Sequence, residues 1–424
     1  MTDYSDAATQ QQLGAIVSPS RPVLAAVLRQ DRLRVLHIHR RASPGGFRVS
    51  KGSRKDPVTV EETQVHYQAA IKVTIGSSSS QSIGPADDGD GSSPAVTQTV
   101  VLDTASDVPW VQCLPCTLEP CPYYDPTRSS TYAAFPCNSS ACKQLGPYAN
   151  GCVNGQCQYR VLAADGSVAS SGTYSSDLLT INSGNAVSSF RFGCSSQQSA
   201  DDQAAAGGNT NADGTMALGR GAQSLAAQTS ATYGNAFSYC LPPTDAEKGF
   251  FRIGVPGGAA HRFAMTPMLR DRRGAAAMLY RAALVAVTVN GRPLNVAPEA
   301  FAAGAVLDSV TVITRLPLTA YAALRAAFRD RMAAYRRAPA QEGLDTCYDL
   351  AGVRFIRLPR VALVFDRNAV VELDRSAILF NGCLAFAAND DDSAPAIIGN
   401  VQQKTIEVLH DVGGGNIGFR RLAC

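Results

Sequence analysis

Charge is scarce in this 424-residue chain: charged residues make up 17% of it, against about 25% in ordinary soluble proteins. Basic and acidic residues nearly cancel, 38 against 35, for a net charge of +3. That leaves no electrostatic footprint for binding nucleic acid or an anionic membrane. Long hydrophobic runs are missing as well. No stretch approaches the about 18 apolar residues of a membrane helix, and the longest candidate, residues 275–289, is interrupted by Arg281. The five histidines (His37, His39, His66, His261, His410) show neither metal-ligand spacing nor a Ser or Cys nucleophile nearby in sequence. The first residues, MTDYSDAATQQQ, are polar and lack the apolar core of a secretion signal.

Glycine, proline and cysteine, in contrast, are plentiful at 36, 23 and 12 residues. The first two favour turns and short strands over long helices. Twelve cysteines point to an oxidising compartment, which conflicts with the polar start; a truncated or misassigned N-terminus is the expected reconciliation. Seven cysteines fall within residues 113–157, a loop-rich stretch with no neighbouring histidine to suggest zinc. Cys113 and Cys116 have redox-motif spacing, but Pro- and Cys-rich sequence follows them instead of a long helix. No metal or organic cofactor is implied. Asn138-Ser-Ser is an N-glycosylation sequon in an expected surface loop.

Periodicity predicts a mainly β chain. Residues 21–41 read as a basic helix with Leu24, Val27 and Leu28 on one face, and residues 42–64 as polar loop. Alternation over 65–75 predicts a strand with Tyr67, Ala69, Ile71, Val73 and Ile75 on one side. Residues 77–94 are low in complexity, and disorder is expected there. Strands are expected at 97–102, 174–181, 188–193, 283–289 (closed by Asn290-Gly291), 361–365, 396–398 and 405–409, and a helix over 317–337.

An internal repeat carries the chemistry. TVVLDTAS (99–106) and GAVLDSVT (304–311) each end an apolar run with an aspartate, Asp103 and Asp308, 205 positions apart. Each is echoed downstream, by DGTMALG (213–219) and by AIIGN (396–400). Two related lobes would each offer one carboxylate. Two carboxylates about 3 Å apart share a proton. The ionised one can deprotonate a water that attacks a peptide carbonyl, while the protonated one donates to the carbonyl oxygen. Ser106 and Thr311 are placed to hydrogen-bond the outer carboxylate oxygens.

These pieces, with DPTRSSTY (125–132), ADGSVASSGTYSSDLLTI (164–181), FRFGCS (190–195), FSYCLP (237–242), LDTCYDL (344–350) and IIGNVQQKT (397–405), resemble the pepsin-like aspartic proteases, and among them the plant nepenthesin type, from about residue 65 onward. The resemblance implies an all-β, bilobal pepsin-like aspartic protease fold with a central cleft. It implies a propeptide-like segment at 1–64, an N-terminal lobe at 65–240 with a Cys-rich insert, and a C-terminal lobe at 241–424. It implies an aspartic endopeptidase with Asp103 and Asp308 catalytic, supported by Thr104, Ser106, Ser309 and Thr311. Trp110 and the flap residues Asp165, Gly166 and Ser167 would line the cleft, and Cys347 would pair with Cys383. The basic segment resembles the family's propeptide, which fills the cleft until removed. The expected partner is a polypeptide substrate or protein ligand, with no nucleic acid or membrane, for a monomer outside the cell (apoplast) or in a vacuole.

The chain departs from the family at four places. Ala105 and Val310 replace the glycines of the two Asp-Thr/Ser-Gly signatures, Ala217 replaces a glycine behind the first, and AADGS (163–167) lacks the flap tyrosine. A Cβ in a tight loop costs space. Two misplaced groups at about 2 kcal/mol each would cost roughly 10³-fold in rate. An impaired protease and a catalytically inactive binding or inhibitor protein, like the plant xylanase inhibitors, both follow from such losses.

Overall fold

Alternating apolar residues build the strands that carry the molecule. In Gln68–Ile75, Ala69, Ile71, Val73 and Ile75 point inward and are buried. The computed structural model describes residues 21–42, 45–46, 58–65, 68–77, 95–114, 123–163, 166–182, 184–196, 212–244, 247–255, 262–269, 272–273 and 278–424. Tyr67, and most of the 77–94 stretch read as disordered, lie outside those residues.

The fold is all-β and bilobal. One large sheet runs from Ala264–Pro267 through Asn416–Arg421, Ile406–Asp411, Ala236–Cys240, Gly249–Ile253 and Val58–Val65 into Gln68–Ile75 and Val96–Asp103 of the first lobe. Strands from both halves of the sequence thus share a ladder. Three smaller sheets of five, four and four strands, built between Arg281 and Ala388 with Ala396–Ile398, form the second lobe. Two strands fall inside the stretch read as loop: Gly45–Gly46, paired with Arg272–Arg273, and Val58–Val65, where the large sheet takes it up. The sequence VTVEETQV shows little apolar alternation; its second half pairs with the neighbouring strand Gln68–Ile75, and its first half with Gly249–Ile253, far along the chain. The helix expected over 317–337 is shorter, Leu318–Arg331, because the chain turns at Met332, where Tyr335 N bonds Met332 O. At Asn290 and Gly291 the left-handed angles of 51° and 77° make the expected hairpin turn.

Disulfides pin the insert and the chain end. Cys142–Cys157 clips the hairpin formed by Ala149–Val153 and Gln156–Leu162 to the short helix Ser140–Gln144, and Cys137–Cys152 clips it to the turn before that helix. Cys113–Cys194 and Cys347–Cys383 each hold one lobe, and Cys240–Cys424 ties the last residue to the shared sheet. Cys116 and Cys121 lie outside the described residues, and Asn138 is exposed.

His410 sits in that shared sheet, fully buried and stacked on Phe237 with ring centres 4.6 Å apart. Tyr280 meets it edge-on at 4.5 Å. Neither ring nitrogen has a partner among the described residues, and burial lowers its pKa to about 3. A depressed base contributes stability above its free pKa of 6.5 and loses it as pH falls towards the folded value. The loss at pH 4 is on the order of 3 kcal/mol. His410→Phe keeps the stack and removes the titration. Its melting temperature should rise by several degrees over the parent at pH 4 and little at pH 7; identical pH dependence in the two chains would contradict this account.

Candidate active site

Each lobe presents its aspartate in the same way. Val96–Asp103 ends on Asp103 and pairs in parallel with Gly214–Ala217, placing Ala217 beside Asp103. Ala305–Leu307 leads into Asp308 and pairs in parallel with Ala396–Ile398, placing Gly399 beside Asp308. The two loops then grip each other. Thr104 N donates to Ser309 Oγ (3.1 Å) and Ser309 N donates to Thr104 Oγ1 (3.0 Å). The hydroxyls reach on, Thr104 to Leu307 O (3.2 Å) and Ser309 to Leu102 O (2.7 Å). These groups are fully buried, so each unmade bond would cost about 1–3 kcal/mol, and the grip fixes the two carboxylates against each other.

Asp308 is held from its own loop by Thr311, whose N and Oγ1 donate to Oδ2 at 2.8 and 2.5 Å. Gln403 Nε2 and Asn400 Nδ2 brace the loop through Asp308 O and Ser309 O. In the first lobe Ala105 N donates to Asp103 Oδ1 (2.8 Å). The expected bond from the Ser106 hydroxyl is not made among the described residues: Asp103 Oδ2 instead accepts from Arg34 Nη1 at 3.2 Å.

Arg34 comes from the basic helix, Arg21–Arg41, which lies in the cleft and not on the surface as an ordinary exposed helix would. Its Nε donates to Asp308 Oδ2 and its Nη2 to Asp308 Oδ1, both at 2.6 Å. The same Nη2 lies 2.6 Å from Asp103 Oδ1. Leu24, Val27 and Leu28 pack on Val312, Ile313 and Val401; Val35 and Ile38 pack on Ala105, Val306 and Ile397. With Asp31 and Arg34 they repeat every three or four residues, the spacing of one helix face. Asp31 is buried against Val312 N (2.6 Å), Ile313 N (3.4 Å) and Arg315 Nη2 (3.5 Å). Arg41 donates to Ala105 O and to Asp107 Oδ2 (2.9 Å), and Tyr148 OH donates to that same oxygen (2.7 Å).

The departures fall into this geometry as follows. Neither Ala105 nor Val310 adopts a positive φ, so neither loop needs glycine's left-handed freedom. The Ala105 methyl packs against Val35 and Ile38 and is part of the helix's seat. Gly399 is different in kind, since a Cβ there would stand 2.6 Å from Val312 O and 2.9 Å from Thr311 O. Its first-lobe counterpart, Ala217, does carry that Cβ, on the side where the Ser106 bond is unmade. Trp110 is half-buried beside Tyr148 and Val108. Gly166 and Ser167 are exposed at a hairpin tip, where Gly166 N bonds Ala163 O (3.0 Å); Asp165 lies outside the described residues. Asp31, Arg34, Arg41, Asp107, Tyr148 and Arg315 were not singled out from sequence. The three- and four-residue spacing of charged and apolar positions along 21–41 was the available signal for Arg34.

The charges set how the helix responds to acid. Burial alone would raise the Asp308 carboxyl, but the charge and bonds of Arg34 and the bonds from Thr311 hold it below its ordinary value of 3.8. That pair therefore contributes above 3.8 and is lost as pH falls further. His37 and His39 are depressed from 6.5, chiefly by burial, so their contribution to docking is lost as pH falls below 6.5. Asp31 acts in reverse. Burial pushes it up to about 6 against the pull of Arg315, so it favours docking most below 3.8 and loses that as pH rises through 6. Hydrogen exchange across 21–41 should therefore rise mainly once the Asp308 pair is lost, below about pH 4. With His37→Gln and His39→Gln together the midpoint should move to lower pH; an unmoved midpoint would contradict the histidine contribution.

Comparison with known proteins follows the same outline. Residues 90–255 match the family model described as xylanase inhibitor N-terminal, and 279–421 match that described as xylanase inhibitor C-terminal. Aspartyl protease AED1 of Arabidopsis thaliana is 34% identical over 94% of this chain and 81% of its own length. Aspartic proteinase nepenthesin-2 of Nepenthes gracilis is 28% identical over 77% of this chain and 74% of its own. Among solved structures, edgp superposes with a TM-score of 0.68 at 17% identity, covering 88% of this chain and 96% of that one. Basic 7S globulin from soybean does so with 0.64 at 16% identity, covering 86% and 94%. At such identities these two structures speak for the fold alone. Among the described residues no helix is long and apolar enough to cross a membrane.

Proposed function

The chain belongs to the plant pepsin-like aspartic protease family, and on that premise we propose that it is a latent aspartic endopeptidase whose cleft is closed by its own basic helix. One observation carries the reading: a single atom, Arg34 Nη2, lies 2.6 Å from the inner oxygens of both Asp103 and Asp308. With the helix gone, a water at that point touches both carboxylates. The pair then shares one proton, and its titration belongs to the pair and not to either residue. The ionised carboxylate takes a proton from the water as the oxygen attacks a peptide carbonyl. The protonated one donates to the carbonyl oxygen as it becomes tetrahedral. Return of a proton to the leaving nitrogen splits the bond. Thr311 and the Thr104–Ser309 grip keep the two carboxylates in place through the cycle. The proposed substrate is an extended polypeptide. The five disulfides described support an oxidising setting, outside the cell or in a vacuole.

A second reading, an inactive binding or inhibitor protein, is favoured by specific losses: no tyrosine stands at the flap, and Ala217 occupies the position of Gly399. The two readings separate on turnover. Acid-treated chain should cleave a denatured protein, and Asp103→Ala should reduce cleavage at least 10³-fold. Cleavage equal in both chains would remove the enzymatic reading. Binding of a statine-type peptide, which mimics the tetrahedral intermediate, needs a competent cleft without turnover and should raise the melting temperature.

If the lost glycine limits the rate, Ala217→Gly together with Val310→Gly should raise kcat/KM by about tenfold, worth about 1.4 kcal/mol of barrier. An unchanged kcat/KM would place the limitation at the flap.

A further inference from the structure

Asp31 occupies a built site that outlasts it. Its side chain is 1% exposed and meets three donors from the loop and strand after Asp308: Val312 N, Ile313 N and Arg315 Nη2. None of the three belongs to the helix. The Arg315 side chain is only 11% exposed. Its Nε is shielded from solvent and has no partner among the described residues. Arg315 is held in the strand Thr314–Leu316, which pairs in parallel with Phe386–Ala388 and against Ile397. The backbone of Arg315 is therefore fixed independently of the helix, on the side of the strand that reaches Asp31 in the cleft, with a spare donor and two amides beside it. With the helix docked the shielded guanidinium meets an anion, Asp31, and its fork fits a carboxylate on two nitrogens. The longest contact to Asp31, 3.5 Å to Nη2, leaves room for a closer fit.

We propose that Arg315, with the Val312 and Ile313 amides, is a specificity subsite that holds an acidic side chain of a polypeptide in the cleft, Asp31 being its internal stand-in. The proposal rests on the reading of the cleft as one that takes an extended chain once the helix is gone. Asp31 precedes Arg34 by three residues, about 4.5 Å of helical rise, so the subsite falls within about three extended residues of the bond at the aspartates. The amides alone would accept any backbone carbonyl; the arginine adds the discrimination by charge. Beneath the helix, burial opposes a charged Asp31 while Arg315 and the amides favour it. Once the cleft opens, the burial is relieved and the attraction remains.

The test uses the full chain with a site-specific protease sequence inserted between residues 47 and 57, cut after folding and washed free of its helix. Fluorescent nonapeptides carry one Glu, or one Gln at the same place, scanned along the sequence. At pH 5.5 one position should bind at least tenfold more tightly with Glu than with Gln. Arg315→Gln should bring that ratio below two, and Arg315→Lys should leave it between the two. A ratio near one at every position in the parent, or the same ratio in Arg315→Gln, overturns the subsite. Because the charge comparison is made first in the parent chain, a variant that fails to fold does not rescue the proposal. Turnover of the same peptides is scored separately. A Glu preference in binding without cleavage leaves the subsite standing and removes the endopeptidase reading, while cleavage with no favoured Glu does the reverse. Absence of any peptide binding removes both.

Discussion

Everything in the cleft answers to one electrostatic constraint: two carboxylates are fixed side by side where water is scarce. The fixing is done by neutral groups, the crossed Thr104–Ser309 bonds between the lobes, so the charge itself must be met by something else. In the closed state it is met by a single guanidinium whose planar fork spans both acids. Buried charges in such a cluster are costly to leave unpaired and cheap to exchange. A cation on a removable segment is therefore a natural occupant, and the same geometry that accepts it accepts a shared proton and a water in its place. The apolar residues on either side of Arg34 give the segment its affinity, and the arginine gives it its register.

The two lobes are copies with unequal wear. The second retains its tight turn at Gly399, and its hydroxyl, Thr311, sits on the acid. The first has an added methyl at Ala217, and its hydroxyl at Ser106 is unbonded to the acid. The change at Ala105 is of another kind, because its methyl has become part of the surface that receives the helix. Losses that look alike in sequence thus divide into one that adds a methyl behind the first aspartate and one that adds to the closed state.

Much of this arrangement is legible in the residues alone. The duplicated Asp-Thr/Ser signatures locate both acids because each follows an apolar strand and has a downstream echo. The bounds of the basic helix follow from its periodicity. What escaped has identifiable physical causes. The strand Val58–Val65 carries few apolar residues, and its first half finds its partner nearly two hundred residues away. The helix contains several arginines, and only the three-dimensional path through the cleft distinguishes Arg34 from its neighbours. Asp107 and Tyr148 are joined by a fold of the insert that its cysteines announce but do not specify. The Ser106 bond is unmade, and Asp103 Oδ2 accepts from Arg34, a residue of another segment that no local pattern near Asp103 announces.

The Cys240–Cys424 bond joins the sheet shared by the lobes to the final residue of the chain. It closes a covalent ring whose two ends are 184 positions apart in sequence, around the second lobe. A single cut anywhere within that ring opens the backbone and releases nothing. A molecule nicked there would remain one particle by size and become two polypeptides only under reduction. A cut between the basic helix and Val58 lies outside the ring and has no such tether, so among single backbone cuts the two places differ in what can leave.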